Sequence, residues 1–271
     1  NAESISLLFK DHRYLLRAGV NSRLKGYSMD DLKNSLGFRY LQETKFDAQT
    51  LWHKPRLDIT PAQPYKQYAE AEKIKLPTDW EMDKSLHEAL QSRRSCRRYT
   101  DIPLSMENIA MLLWASQGIS GRAGNFFFRT APSAGALYPV ETYLSIQNVE
   151  SLPPGLYHFQ PADFGLERII DGFAGKRVAE AALGQNFMAK AGVVFVWSAI
   201  LRRNFSKYGH RGLRYVMMDA GHICQNLLLA AEGLALGACP VAAFYDDQLN
   251  SLFGLDGEEE SVVYLAAVGA K

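Results

Sequence analysis

A chain of 271 residues, 47% hydrophobic and 22% charged, has enough apolar material to bury a substantial core and the composition of a soluble globular protein. A formal net charge of +1 argues against a general nucleic-acid binder, which carries a strong basic excess. Cys96, Cys224 and Cys239 are too widely spaced for a CxxC pair or a disulfide framework, which points to a reducing cytoplasm.

The opening stretch NAESISLLFKDHRYLL has a short apolar patch interrupted by charge, so no signal peptide is expected in it. Residues 1–80 are polar and irregular, with prolines at 55, 61, 64 and 77, and read as an N-terminal extension wrapping a main body at 81–271. Some helix is expected within it, near 29–36. DKSLHEALQSRR places Leu86, Ala89 and Leu90 at helical spacing, with Asp83 as cap. SMENIAMLLWASQG runs from a capping Ser105 to Gly118 as a second helix. VETYLSI alternates like a strand after Pro139, and LYHF follows the PPG turn as another. VVFVWSAI is an unbroken apolar run of the kind a central strand shows. Residues 216–235 read as a long helix and SVVYLAAVG as a last buried strand. The apolar stretch 217–244 carries Asp219, His222, Gln225, Asn226 and Glu232, which are costly in hydrocarbon, so a buried or interfacial helix is expected rather than a membrane span. Strands and helices without strict βαβ alternation predict an α+β domain.

Three stretches carry chemistry. RRSCRR, residues 93–98, puts four arginines beside Ser95 at the end of a short helix. It reads either as a solvated basic helix end or as an anion site, since guanidinium groups and a hydroxyl hold phosphate with paired hydrogen bonds. No P-loop or GxGxxG fingerprint accompanies it. RTAPSAGALYPVETY contains Pro132, Ser133, Ala134, Gly135 and Ala136, small residues that let backbone approach a flat ligand; an ordinary tight turn is the other reading. NFSKYGHRG reads most simply as a solvated loop. Lys207 acts as a base there only if burial or the nearby Arg202, Arg203 and Arg211 lower its pKa.

Other candidates are weaker. His222 and Cys224, two apart on a helix, point to different faces and do not share a metal, so no metal site is expected. His222 reads as a buried, hydrogen-bonded histidine and His158 as strand packing. Cys96 lacks a partner cysteine for redox work, although its thiolate would be stabilised among arginines. Glu258, Glu259 and Glu260 read as a solvated loop run.

The order RRSCRRY, PSAGALYP, PPGLYHF, KYGHRGLRY, AGHICQNLLLAAEGLALG resembles the nitroreductase superfamily. More narrowly, it is similar to the SagB-type dehydrogenase branch, which includes flavin-dependent oxidases that convert thiazolines and oxazolines to thiazoles and oxazoles. The resemblance runs from residue 83 to the end of the chain; before it, only FRYLQETKF is similar. It implies a nitroreductase-like fold with a central, mainly antiparallel sheet flanked by helices, and FMN held non-covalently at a homodimer interface. Arg93, Arg94, Ser95 and Arg97 carry over as FMN ligands, with Arg98 structural. Pro132, Ser133, Ala134, Gly135, Ala136 and Leu137 would face the isoalloxazine from the partner subunit. Pro240, Val241, Ala242 and Ala243 carry over as the loop whose backbone amide reaches flavin N5, and Lys271 as a basic residue contacting the phosphate. An arginine near the flavin N1–O2 edge favours acceptance of hydride, because that edge gains negative charge on reduction. Lys207 and Tyr208 carry over as the pair that removes a proton as hydride leaves to N5. The implied function is hydride transfer between FMN and a small or modified-peptide substrate, in the cytoplasm and without nucleic acid or membrane. The alternatives are reduction of nitro or quinone compounds with NAD(P)H, and a flavin-binding but inactive partner in a modifying complex.

Overall fold

Local capping and apolar spacing account for most helices of the computed structural model, which describes residues 29–49, 57–82, 84–124 and 126–271. The chain divides into two units, residues 1–51 and 52–271. In the first, α1 (Met29–Asn34) and α2 (Leu36–Glu43) meet at Ser35, whose hydroxyl accepts from the Phe38 N–H.

The second unit begins, among the described residues, with an extended strap and β1 (Glu72–Lys75). Helix α3 (Leu86–Ser92) is capped by Ser85, which forms a reciprocal box with Glu88; the expected cap, Asp83, lies outside the described residues. Ala89 is its buried residue, while Leu86 and Leu90 are 66% and 56% exposed. Helix α4 (Met106–Gln117) starts at Ser105 and stops at Gly118, as its sequence predicts. A hairpin of β2 (Ile119–Ala123) and β3 (Phe126–Arg129) follows. Then come β4 (Val140–Ile146), β5 (Gly155–Gln160), β6 (Gly165–Asp171), α5 (Gly175–Ala181) and β7 (Val193–Ile200). Residues 204–208, expected in a solvated loop, instead lie in α6 (Leu201–Tyr208), a mostly polar helix whose short apolar stripe is Leu201, Phe205 and Tyr208. The long helix α7 (Gly212–Gly233) begins four residues before its expected start. The last elements are β8 (Leu236–Val241), α8 (Asp246–Leu252) and β9 (Glu260–Ala270).

Seven strands form one sheet in the order β1-β6-β5-β4-β7-β9-β8, antiparallel at every pairing. Helices α4 and α7 cover one face through Ile109, Leu112, Leu113, Ile223 and Leu227, packed with Val140, Leu144, Phe195 and Trp197. Helices α5 and α8 cover part of the other through Val178, Leu249 and Leu252, packed with Val194, Val196 and Leu265. Both layers exclude water from the sheet, so every residue of β4 is buried, although its alternation suggested one solvated face.

The rest of that second face is polar. His158, expected as simple packing, is buried between Glu141 and Glu167, 3.1 and 2.8 Å from its ring nitrogens. Glu260, expected in a solvated run, is also buried and accepts from Ser198, Tyr143 and Lys66. The strap covers this patch, with Gln160 donating to the Lys66 carbonyl and the Tyr68 N–H donating to Glu167. Among the described residues no helix is long and apolar enough to cross a membrane, and no cluster of His, Cys, Asp or Glu could hold a metal ion.

Candidate functional site

The arginine stretch leaves the end of α3 and runs along the free edge of β8. The Cys96 N–H donates to the Ala238 carbonyl at 2.9 Å, and Ser95 pairs with Ala238 in a parallel bridge. The Tyr99 hydroxyl donates to the Cys96 carbonyl at 2.9 Å, and the Thr100 N–H to Ala270. The backbone of 95–100 is therefore fixed to the sheet while the side chains project from it. Arg94, Ser95, Arg97 and Arg98 are exposed and Arg93 is half-buried. Arg94 donates to the carbonyls of Gln91 and Arg93, and Arg97 lies over the Phe187 ring. Among the described residues, no carboxylate pairs with any of the four arginines. A fixed backbone carrying guanidinium groups without carboxylate partners could hold an anion.

Beside it, Glu232 near the end of α7 is buried and gathers Lys84 at 2.6 Å, Lys271 at 2.7 Å and the Ser92 hydroxyl at 2.8 Å. Burial opposes its charge, but bonds from Lys271, Lys84 and Ser92 outweigh burial and hold the carboxyl down to about 2. Lys271, expected as a phosphate contact, thus has its ammonium engaged by Glu232, although a Cβ on neighbouring Gly237 would meet both Lys271 and Cys96. Pro240 and Val241 end β8; Ala242 and Ala243 follow it exposed, with the Ala243 carbonyl accepting from Gln185.

The second group of expected residues forms a strained loop. Ala134–Ala136 make one 3-10 turn, and Gly135, Ala136 and Tyr138 have φ of 65°, 54° and 45°. Non-glycine residues hold such angles only where surrounding contacts over-determine them. The Ser133 hydroxyl donates to Asp219 at 2.6 Å and accepts from the Tyr138 N–H at 3.0 Å. The Tyr138 hydroxyl accepts from the Arg129 N–H, and the Arg129 guanidinium lies 4.6 Å from its ring. Asp219 also accepts from the Ala134 N–H; burial raises its pKa, and the bonds from Ser133 and Ala134 act against that rise. Sequence reasoning missed Asp219 as a site residue. A carboxylate within the apolar part of a long helix was the available signal.

Lys207 and Tyr208 come to this loop. A Cβ built on Gly135 would lie 2.5 Å from the Tyr208 hydroxyl and 2.7 Å from Lys207 Nζ. The loop thus faces an ammonium and a phenol across a position that only glycine leaves open. Two of the three cations expected to act on Lys207 are neutralised, since Arg202 pairs with Glu259 at 2.7 Å and Arg203 with Glu141 at 2.6 Å. His222, expected buried, is exposed on α7. Gly135→Ala is expected to cost about 1–2 kcal/mol, the strain of an alanine in the left-handed region. The added methyl also moves the flexible ends of Lys207 and Tyr208, so stability falls little while both side chains shift, which thermal unfolding and a variant structure would read together.

The Nitroreductase family model matches residues 90–270 of the chain. A nitroreductase-family protein of Methanocaldococcus jannaschii is 37% identical over 198 residues, 73% of this chain and 96% of that protein. The microcin B17-processing protein McbC of Escherichia coli is 29% identical over 133 residues, 47% of this chain and 49% of McbC. The solved structure of a nitroreductase-family protein of Anabaena variabilis superposes with a TM-score of 0.67 at 25% identity, covering 86% of this chain and 46% of that one.

Proposed function

The chain belongs to the nitroreductase family, and from that premise we propose that it is an FMN-dependent oxidoreductase of SagB type, working as a homodimer on a small or peptide-derived substrate. The observation that carries this reading is the convergence of Lys207 and Tyr208 on Gly135 in the small-residue loop. The similarity to McbC, a microcin-processing protein, supports the SagB-type branch.

In this reading Arg93, Arg94, Ser95 and Arg97 hold the FMN phosphate, with Lys271 and Glu232 balancing charge beside them. The backbone of 240–243 would line the flavin, which when bound would supply a hydride acceptor. Pro132 to Leu137 offer a flat wall of small side chains that excludes water. Lys207, beside Tyr208, would take the proton that the substrate loses as its hydride leaves, once bound cofactor and substrate shield its exposed side chain from water.

Two copies suit this arrangement better than one. Asp219, which anchors the loop, and Glu232, beside the arginine stretch, are 13 positions apart on one helix (about 20 Å along its axis and roughly 140° round it). A flat cofactor held at one end is therefore remote from the other within a single chain. Just before Asp219, α7 exposes Met217 and Met218, 50% and 57% exposed, and between Asp219 and Glu232 it exposes Gly221, His222 and Gln225. A second α7 packed antiparallel about Gln225, at the end of this stripe, would set Asp219 of one protomer opposite Glu232 of the other and so bring the loop of one to the arginines of the other.

An absorption spectrum and an anaerobic titration test the proposal. Purified protein that takes up FMN and shows its visible bands supports it; colourless protein that binds no added FMN ends it. Bleaching by NADH or NADPH would favour the nitro- or quinone-reductase reading over the oxidase. Replacing Arg93 or Arg97 by alanine is expected to weaken FMN binding by about 10- to 100-fold each, the worth of a charged hydrogen bond, as measured by quenching of flavin fluorescence.

A further inference from the structure

Helix α6 carries Lys207 and Tyr208, and its apolar side chains Leu201, Phe205 and Tyr208 are only half-buried. Arg203 and Asn204 are its buried residues, it has no side-chain cap at Ile200, and it ends at Gly209 with φ of 56°. Its anchor is the Arg203 guanidinium, one turn before Lys207 on the same side of the helix. Arg203 is 3% exposed. Its Nη1 lies 2.6 Å from Glu141 Oε1 and donates to the Tyr138 carbonyl at 2.9 Å, and its Nε donates to the Gln63 carbonyl at 2.8 Å. One side chain thus joins α6 to β4, to the strap and to the end of the 132–138 loop. The loop is bound in turn through the Tyr138 N–H to Ser133 and from Ser133 to Asp219 on α7.

Glu141 is itself held. Its Oε2 meets His158 Nε2, and His158 Nδ1 meets Glu167 Oε2, which accepts from the Tyr68 N–H of the strap. When His158 carries a proton on each ring nitrogen, as the carboxylates on both sides favour, the row alternates in sign: Glu167, His158, Glu141, Arg203. Arg129, from β3, is the other charged group near Glu141 and Arg203. Rows of buried charge are often replaceable by apolar residues without loss of stability. What apolar residues would not supply here is direction, because the planar guanidinium of Arg203 donates to carbonyls on two segments while it ion-pairs with Glu141 on a third.

We propose that Arg203 is a positioning residue that sets Lys207 and Tyr208 against the 132–138 loop, and that the Glu167–His158–Glu141 row holds Arg203 in place for this task. The inference rests on the reading of Lys207 and Tyr208 as the reacting pair, but its geometric content does not.

Amide hydrogen exchange on the FMN-loaded protein, comparing wild type with Arg203→Lys and Arg203→Met, tests it. Exchange at least tenfold faster in both 201–208 and 132–138, with 193–200 and 260–270 unchanged, is the expected result. Unchanged exchange in 132–138 overturns the proposal, and so does a uniform rise over all four segments, which would make Arg203 a general support of the fold. Arg203→Lys, which keeps the charge and loses the fork, is expected to show the same two-segment pattern even if Arg203→Met does not fold. Turnover of a synthetic thiazoline peptide by Lys207→Ala separates the two readings: if that variant keeps its activity the catalytic assignment fails, while the exchange result for Arg203 stands.

Discussion

Lys207→Ala is expected to lower substrate turnover by about 10²–10⁴-fold, the usual contribution of a positioned acid–base group, with FMN binding unchanged. The two effects separate because the structure separates the residues. Lys207 faces Gly135, and its anchor Arg203 bonds toward the loop end of α7, whereas the arginine stretch is tied to β8 and β9 and sits by Glu232 at the other end of that helix. Tyr208→Phe is expected to cost less, since the ammonium stays at the loop. Rescue by an added primary amine would mark Lys207 as a proton acceptor rather than a shaping residue. A Lys207→Ala variant that turns over normally, measured beside its flavin spectrum, would remove this residue from the mechanism.

Glu141→Ala is expected to destabilise the fold by about 3–5 kcal/mol, the cost of breaking a buried ion pair on one side. The variant strands Arg203 and leaves His158 with one carboxylate in place of two. The wild-type pH profile carries the same signature. Burial alone would raise the Glu141 pKa, but the bond from His158 and the charge of Arg203 outweigh it and take the carboxyl to about 2, from an ordinary 4.5. Its contribution is therefore present above pH 4.5 and lost as pH falls toward 2. For His158, burial acts to lower the pKa, yet bonds to Glu141 and Glu167 raise it above the ordinary 6.5. That contribution is complete below pH 6.5 and is lost as pH rises through the higher folded value. The row stabilises most between about pH 4.5 and 6.5. Chemical denaturation across pH should show that plateau in the wild type and a flatter curve in Glu141→Gln. An unchanged profile in that variant would deny the row its energetic role.

Much of the scaffold was readable because its signals are local. Ser105 and Gly118 bound a helix through capping groups adjacent in the chain, and VVFVWSAI and SVVYLAAVG announce strands buried on both faces. Helix α6 was not readable, because its apolar stripe, Leu201, Phe205 and Tyr208, spans only two turns of a mostly polar segment, and its anchor Arg203 finds its partners only in the tertiary structure. The same limit hid His158, Glu141 and Glu260, whose types suggest solvent or packing until the register of β4, β5 and β9 places their partners opposite.

By itself the amino-acid sequence determined the family, the order of the elements and the kinds of group available: clustered guanidinium, a small-residue loop, an amine beside a phenol. Only the tertiary structure decided that the amine and phenol meet the loop at Gly135, that Glu232 engages Lys271, and that four charges line up under the strap. The physical reason is range. Capping and periodicity act over a few residues, whereas an ion pair in low dielectric depends on which distant segments strand pairing and helix packing bring within hydrogen-bond reach.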